Sequence, residues 1–228
     1  LVKKKDTHID VGDESLIHCS FGKTCMSKNK IIGANYCVSN GSDLILMDDG
    51  FQSKNVKKDL NIIVIDGDYK FGNGKVLPAG PLRETITSAA LKSDITIIIG
   101  KQKTNFFKRL NFKNIFYAKK KISINSKNPK LYAFSGLGNN LSFFDSIINS
   151  NYHLEKFKEF KDHHNFTNNE IEKLIKDSKE LNLQLVCSSK DYVKIDEKFK
   201  KHIEVVQMKI EFDKKKEFTN KLYEFLNI

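Results

Sequence analysis

Three short runs of consecutive apolar residues constrain the fold of this chain most strongly. They lie at 43–48 (DLILMD), 61–66 (NIIVID) and 94–99 (DITIII), and the second and third are rich in β-branched residues. Short strands without polar alternation are typical of parallel sheets that helices cover on both faces. Helices are predicted at 14–21 and at about 86–91, so the pattern predicts an α/β fold.

The chain changes character in a basic, asparagine-rich stretch at 119–129 that ends on a proline, which predicts a linker. A second α/β region follows it. Its predicted elements are strands at 131–134, 183–187 and 203–210 and helices at 141–148, 167–181 and 214–226, the clearest being 167–181, where Thr167 and Glu170 match a capping box. We therefore expect a core domain at 1–127, joined by the C-terminal helix at 212–228, and a smaller α/β domain at 128–211.

Composition excludes several classes of protein. The chain has 228 residues, of which 39% are hydrophobic, so wholesale disorder is excluded. Its apolar runs are far shorter than the ~20 residues of a membrane span. The four cysteines show no CxxC spacing, which favours reduced thiols.

The net charge is +11, and only two of the 39 basic residues are arginines. A solvated lysine-rich surface is favoured over a functional anionic partner, although the second interpretation stays open. No signature of an RNA-binding module is present.

No phosphate-binding P-loop occurs in these residues. The run Gly22-Lys23-Thr24 resembles the end of GxxxxGK[ST], but Ile17 stands where the first glycine is required. A second glycine-lysine run at 72–75 fails in the same way, because Tyr69 and Val76 occupy the required positions.

Two adjacent acids, Asp48 and Asp49, follow the first predicted strand and precede Gly50. Open α/β sheets bind ligands at the carboxyl ends of their strands. A pair of carboxylates at that position suits a Walker-B role, in which Mg²⁺ is held beside a nucleotide. An Asp-Gly turn that only ends the strand is an alternative that local sequence leaves open.

Three further segments are candidates for function. Asp13 and Glu14 begin a predicted helix, where an acid is also a common cap. His163 and His164 follow Asp162 in a predicted loop, where surface or packing roles are common and no zinc spacing is present. The glycine- and proline-rich loop at 71–84 is long and tightly patterned, which favours a functional role.

Together these blocks resemble one family, the tetraacyldisaccharide 4′-kinases of Gram-negative bacteria. The resemblance runs from about residue 8 to about residue 207. The blocks that carry it, in order, are 11–14 (VGDE), 48–52 (DDGFQ), 71–74 (FGNG), 78–84 (PAGPLRE), 134–138 (FSGLG), 162–164 (DHH) and 188–191 (SSKD). DDGFQ and PAGPLRE are the most specific of them.

The resemblance implies a P-loop-kinase-like, mostly parallel sheet that is incomplete at the amino terminus, with a second, smaller α/β domain. It implies transfer of the γ-phosphate of ATP to the 4′-hydroxyl of tetraacyldisaccharide 1-phosphate, with Mg²⁺, to give lipid IVA. It also implies a monomer attached peripherally to the cytoplasmic face of the inner membrane, with the anionic membrane surface and the lipid-linked disaccharide as partners and no nucleic acid beyond ATP.

By the same resemblance, Asp48 and Asp49 are the Walker-B acids that bind Mg²⁺, and Glu14 supports that ion. Asp13 is the base that faces the sugar hydroxyl, and His163 pairs with it from the other domain. Because these two residues are expected on different domains, domain closure would assemble the site.

Four residues are expected at the substrate: Gln52, Asn73, Arg83 and Lys30. We hypothesise that Arg83 clamps a phosphate with two hydrogen bonds, since this arginine is kept in a lysine-biased chain. Lys30 stands where the family usually has an arginine, which preserves the charge but not the forked geometry.

The family's P-loop block has no counterpart here, and the chain begins at Leu1 instead of Met. We therefore expect a fragment that is inactive alone. Two alternatives stay open: a pseudokinase without a P-loop, and a non-catalytic basic protein that binds anionic membranes.

Overall fold

A computed structural model describes residues 1–100, 106–126 and 128–227 of the chain. Its residues group into two compact units. Unit 1 consists of Leu1–Asn40 and Ile122–Met208, and unit 2 consists of Gly41–Lys121 and Lys209–Ile228.

Seventeen helices and strands lie within the described residues. In chain order they are α1 (His8–Val11), α2 (Asp13–Phe21), α3 (Lys30–Ser39), β1 (Ile62–Asp66), α4 (Ile86–Lys92), β2 (Ile95–Ile99), α5 (Phe106–Arg109), β3 (Ile115–Ser123), β4 (Lys130–Ser135), α6 (Asn140–Ile148), β5 (His153–Glu159), α7 (Asn168–Glu180), β6 (Gln184–Ser188), α8 (Ser189–Tyr192), α9 (Glu197–Lys200), β7 (Glu204–Phe212) and α10 (Lys215–Leu226). All five predicted helices and all but one of the predicted strands are present, within a few residues of the expected bounds.

The sheet of unit 2 contains β1, β2 and β3 in that order, and both pairings are parallel. Side chains of β2 alternate between two apolar clusters. Ile95 and Ile97 lie in the cluster to which Phe218 and Leu222 of α10 belong. Ile98 lies in the other cluster, with Phe107 of α5. Helices therefore cover both faces of this sheet at β2, as the largely apolar run 94–99 predicts.

The sheet of unit 1 has β4 at its centre, paired in parallel with β5 and with β6, and β6 pairs in parallel with β7. Leu131 and Ala133 of β4 lie in one apolar cluster, which contains Phe144 of α6. Tyr132 and Phe134 lie in the other, which contains residues of α7. The expectation of a mostly parallel α/β protein is confirmed in each unit.

Helix α7 shows how directly sequence specifies one element. The Thr167 side chain accepts a hydrogen bond from the Glu170 amide, and the Glu170 side chain accepts one from the Thr167 amide, so the capping box is complete. Ile171, Leu174 and Ile175 recur at helical spacing and are all buried.

One predicted strand is wrong. The structure describes all of 43–48 and forms no strand there. Leu44 and Leu46 are 66% and 91% exposed. The run contains a single β-branched residue, Ile45, so its strand propensity is weaker than that of 61–66 or 94–99. A strand also needs a neighbour to accept its backbone hydrogen bonds.

The compact units differ from the predicted domains. Residues 1–40 group with the second α/β region, because α1, α2 and α3 bury no residue completely and lack a core of their own. Strand β3 extends into the stretch 119–129 expected to be a linker, and the predicted boundary residue 127 lies outside the described residues. The domain limits expected from the sequence, 1–127 with 212–228 and 128–211, stay a prediction.

Among the described residues, no helix combines the length and the apolar character that crossing a bilayer requires.

Candidate active site

The carboxylate of Asp13 faces the imidazole of His163 within unit 1. Asp13 is the first residue of α2 and follows Gly12, whose φ of +77° favours glycine. His163 Nδ1 lies 3.8 Å from Asp13 Oδ2, which is too long for a hydrogen bond. That oxygen is buried, and no described residue donates a hydrogen bond to it. An acceptor in this state is rare enough to require an explanation.

Two lysines of the α8 region face the two acids that begin α2. Lys190 forms an ion pair with Glu14, and this hydrogen bond raises the pKa of Lys190 above its ordinary value. Lys194 Nζ lies 4.0 Å from Asp13 Oδ2. The lysines are four residues apart, and the helical turn continues through Val193, so both point to one side.

A buried carboxylate, Asp191, connects these groups. Its Oδ1 lies 3.5 Å from Lys194 Nζ and accepts a hydrogen bond of 3.2 Å from the Gly136 amide. Its Oδ2 accepts a 2.7 Å hydrogen bond from the Ser188 hydroxyl. Asp191 is 0% exposed and the Lys194 side chain 3% exposed, so each neutralises the other away from water.

The backbone of His163 is tied to the same region. Its amide donates to the Gly136 carbonyl at 3.1 Å. Its φ is +55°, a left-handed conformation that is uncommon for a residue other than glycine. Gly136 itself leaves little room, because a Cβ there would meet the Lys161 carbonyl oxygen at 3.1 Å. The loop is therefore held in a specific and strained path beside Asp13.

The two adjacent histidines have different surroundings. His164 Nε2 lies 3.1 Å from Glu170 Oε2, and its ring stacks on Phe160. A backbone hydrogen bond from Thr167 lowers the pKa of Glu170, and the His164 side chain lowers it further. His164 thus supports the start of α7, whereas the imidazole that faces Asp13 belongs to His163.

In unit 2, Asp48 and Asp49 lie in a turn and not at the end of a strand. Asp49 has a φ of +48°, which aspartate tolerates better than most residues. Arg83 Nη1 lies 3.4 Å from Asp49 Oδ2, with both side chains largely exposed. The local backbone is therefore the Asp-Gly turn that the sequence left open as an alternative, and Arg83 lies beside the acid pair.

Glu84 organises the neighbouring loop. It accepts hydrogen bonds from Gln52 Nε2 at 3.2 Å and from Ser88 Oγ at 2.7 Å, and it pairs with Lys92. Burial alone would raise the pKa of Glu84, but the bonds from Lys92, Ser88 and Gln52 outweigh it and lower that pKa. The block DDGFQ is thereby connected to the end of PAGPLRE through Gln52.

Asn73 stabilises the glycine-rich loop from inside. Its Nδ2 donates to the Ala79 carbonyl at 2.9 Å, and its Oδ1 accepts from the Lys75 amide at 3.1 Å. Gly80 lies so close that a Cβ there would clash with Asn73 Oδ1 and the Lys75 carbonyl.

The sequence profile of the tetraacyldisaccharide-1-P 4′-kinase family matches residues 1–227. The chain belongs to this family. Curated relatives named tetraacyldisaccharide 4′-kinase come from Paramagnetospirillum magneticum (31% identical, covering 89% of this chain and 64% of the relative) and from Bartonella tribocorum (34% identical, covering 85% and 58%). The chain therefore spans less than two thirds of the length of these relatives.

A crystal structure of an "apo" form of LpxK from Aquifex aeolicus in complex with ATP is similar in fold. The TM-score is 0.69, and the match covers 97% of this chain and 71% of that chain at 19% identity. The expectation of a P-loop-kinase-like, mostly parallel fold is confirmed.

The residues expected to form the kinase site fall in both units. Unit 1 contains Asp13, Glu14 and His163, and it also contains Lys30, an exposed residue at the start of α3. Unit 2 contains the remaining five, which are Asp48, Asp49, Gln52, Asn73 and Arg83. Asp13 and His163, expected on separate domains, lie in one compact unit, because α2 packs with α8.

Sequence reasoning missed four residues: Glu84, Lys190, Asp191 and Lys194. Three of them lie in family blocks, PAGPLRE and SSKD, so their position was a usable signal. Lys194 had none, since one lysine in a lysine-rich chain looks like any other.

Asp48 and Asp49 offer carboxylates suited to Mg²⁺, although they do not form a complete set of protein ligands around an ion. Within the described residues, no group of three or more His, Cys, Asp or Glu side chains is placed to hold a metal. Mg²⁺ beside a nucleotide is typically held by one or two carboxylates, with phosphates and water supplying the remaining ligands. The exposed pair Asp48 and Asp49 fits that requirement.

Proposed function

We propose that this chain is the part of a tetraacyldisaccharide 4′-kinase that supplies the catalytic base and the acids for the metal. The reaction transfers the γ-phosphoryl group of ATP to the 4′-hydroxyl of tetraacyldisaccharide 1-phosphate. The bond between the γ-phosphorus and the bridging oxygen breaks, a bond to the sugar oxygen forms, and ADP leaves.

The observation that carries this proposal is the state of Asp13 Oδ2. It is a buried carboxylate oxygen without a hydrogen-bond donor, and His163 lies beside it. A sugar hydroxyl would supply the missing donor, and its proton would pass to the carboxylate as the phosphorus is attacked. The His163 side chain is 71% exposed, so it is the group that would shift to admit the hydroxyl and then orient the acid.

The remaining roles follow the family resemblance. Asp48 and Asp49 would bind Mg²⁺, and Glu14 would support it. The ion would offset negative charge on the phosphates. Gln52, Asn73, Arg83 and Lys30 would contact the substrates, with Arg83 clamping a phosphate. The bond between Arg83 and Asp49 supports that role only by placing the guanidinium beside the acid pair.

The proposal is tested by measuring transfer of labelled γ-phosphate to the disaccharide, in whichever length of the protein carries the kinase activity. Asp13→Asn is expected to lower kcat at least about 100-fold, because it removes the proton acceptor. His163→Ala should lower kcat less. Asp10→Asn and His153→Ala are matched controls at exposed sites of the same unit and should retain activity. Full activity in Asp13→Asn would overturn the assignment.

We also expect no transfer by the 228 residues alone, since they contain no P-loop. Reading the DNA upstream of the Leu1 codon distinguishes the alternatives: an in-frame GGxGKTP there indicates a fragment of a complete kinase, and its absence indicates a pseudokinase. Phosphorylation of the disaccharide by the isolated chain would contradict this expectation.

We further propose that the protein binds the cytoplasmic face of the inner membrane peripherally, as a monomer. The charge of +11 supports attraction to anionic lipid. Cosedimentation with vesicles containing phosphatidylglycerol, but not with neutral vesicles, is the expected result.

A further inference from the structure

We propose that Lys194 is a positioning residue for the pair Asp13 and His163, and that Asp191 is the buried counter-charge that allows a lysine to serve there. This inference rests on the proposed function, since it concerns the residue assigned as the base. It adds a cation and an acid to which the family resemblance assigned no role.

The first step concerns the position of the ammonium group. Lys194 Nζ lies 3.5 Å from Asp191 Oδ1 and 4.0 Å from Asp13 Oδ2, so one cation stands between two carboxylates. The Lys194 side chain is 3% exposed and that of Asp13 14% exposed. At such burial a charge interacts more strongly than at the surface and is little screened by salt.

The second step concerns the need for Asp191. A buried ammonium group with Asp13 as its only carboxylate neighbour would donate a hydrogen bond to that carboxylate. Asp191 is completely buried and is fixed by the Ser188 hydroxyl and the Gly136 amide. It therefore supplies a stationary negative charge, and the lysine can lie at ion-pair distance from Asp13 without donating a hydrogen bond to it. The Asp13 oxygen remains open to a donor from the substrate.

The third step connects Asp191 to the imidazole. The Gly136 amide donates to Asp191, and the Gly136 carbonyl accepts from the His163 amide. One buried carboxylate thus sets the position of Asp13 through Lys194 and that of His163 through Gly136. The members of the pair are 150 residues apart in sequence, so such a shared anchor explains how they meet.

Lys190 differs from Lys194 and serves as a comparison. It contacts Glu14, the next residue along α2, but its side chain is 40% exposed. Surface ion pairs contribute little and are easily replaced. We therefore assign the positioning role to Lys194 and not to its neighbour one turn earlier.

The first test is a double-mutant cycle on the 228-residue chain, in which urea unfolding compares Lys194→Met, Asp13→Asn and both together. Coupling of about fivefold or more in the unfolding constant is expected. The matched cycle of Lys156→Met with Asp13→Asn should show none, since Lys156 pairs with Asp177 instead. Where Lys194→Met does not fold, Lys194→Gln replaces it. Coupling below about twofold would overturn the proposal.

The second test measures kinetics in whichever length of the protein carries the kinase activity. Lys194→Met is expected to lower kcat about tenfold or more while KM for the disaccharide changes little, and Lys194→Arg should restore part of kcat. If Lys194 were only structural, Lys194→Met would lower the yield of folded enzyme, and the folded fraction would not show a lowered kcat with an unchanged KM. If Lys194→Met keeps a normal kcat while Asp13→Asn is inactive, the positioning role of Lys194 is refuted and the proposed function stands. An active Asp13→Asn would instead refute the proposed function.

Discussion

The acids of unit 1 and those of unit 2 are held in opposite ways. Asp13 is largely buried beside Lys194 and the charge of Asp191, two side chains that water hardly reaches, and it also faces the exposed imidazole of His163. Asp49 is 78% exposed in a turn and contacts Arg83, which is 63% exposed. A group that accepts a proton must be held precisely relative to its donor. Acids that bind a hydrated cation can be arranged by the ion and its phosphates.

The largest expected effect tests whether burial is the real difference between these regions. Asp191→Asn should lower the free energy of unfolding by about 3 kcal/mol, because it leaves the buried Lys194 without its counter-charge. Asp49→Asn is the matched change in unit 2, and it should alter stability by less than about 0.5 kcal/mol, since asparagine accepts the positive φ and the site is exposed. Urea unfolding measures both. Equal losses of unfolding free energy in the two variants would mean that burial does not distinguish the acids of unit 1 from those of unit 2.

A smaller effect is expected from the backbone of the glycine-rich loop. Gly80→Ala should cost about 2 kcal/mol, because the new Cβ would clash with the Lys75 carbonyl and displace Asn73. In unit 1, Gly22 has open space and an extended φ of −179°, so Gly22→Ala should leave stability unchanged or raise it by about 0.5 kcal/mol. Thermal unfolding compares the two variants, and a neutral Gly80→Ala would show that the glycine-rich loop of unit 2 is not tightly packed around Gly80.

The smallest effect concerns pH. The pKa of Glu84 is lowered in the folded chain, so its contribution to stability is fully present above the ordinary value of 4.5 and is lost as the pH falls through the folded value. Glu84→Gln should therefore be less stable than the parent chain near neutral pH, and the gap should shrink below pH 4.5.

Ser88→Ala removes one of the hydrogen bonds to Glu84 and should show the same trend in part. Unfolding followed by circular dichroism across this range measures it. A gap that stays constant with pH would mean that the carboxylate is not held by its partners.

Local signals predicted the elements well where they were complete. The capping box and helical spacing of α7, and the β-branched run that became β2, each satisfy both local propensity and burial. The β-branched run that became β1 satisfies local propensity, although Ile65 is its only buried residue. The run DLILMD had an apolar composition without β-branching or a paired neighbour, so the same reasoning failed there. Family blocks located Asp13, His163 and the acid pair, but did not show what surrounds them.

By itself, the sequence determined the fold class, ten of the seventeen described helices and strands and the family to which the chain belongs, because those depend on periodicity and on ordered blocks of residues. Only the tertiary structure decided that Lys194 and Asp191 accompany Asp13, and that residues 1–40 group with 122–208. The reason is physical. Whether a lysine is a solvated surface charge or a buried anchor depends on which distant carboxylates the fold brings within a few ångströms of it, and no local pattern records that.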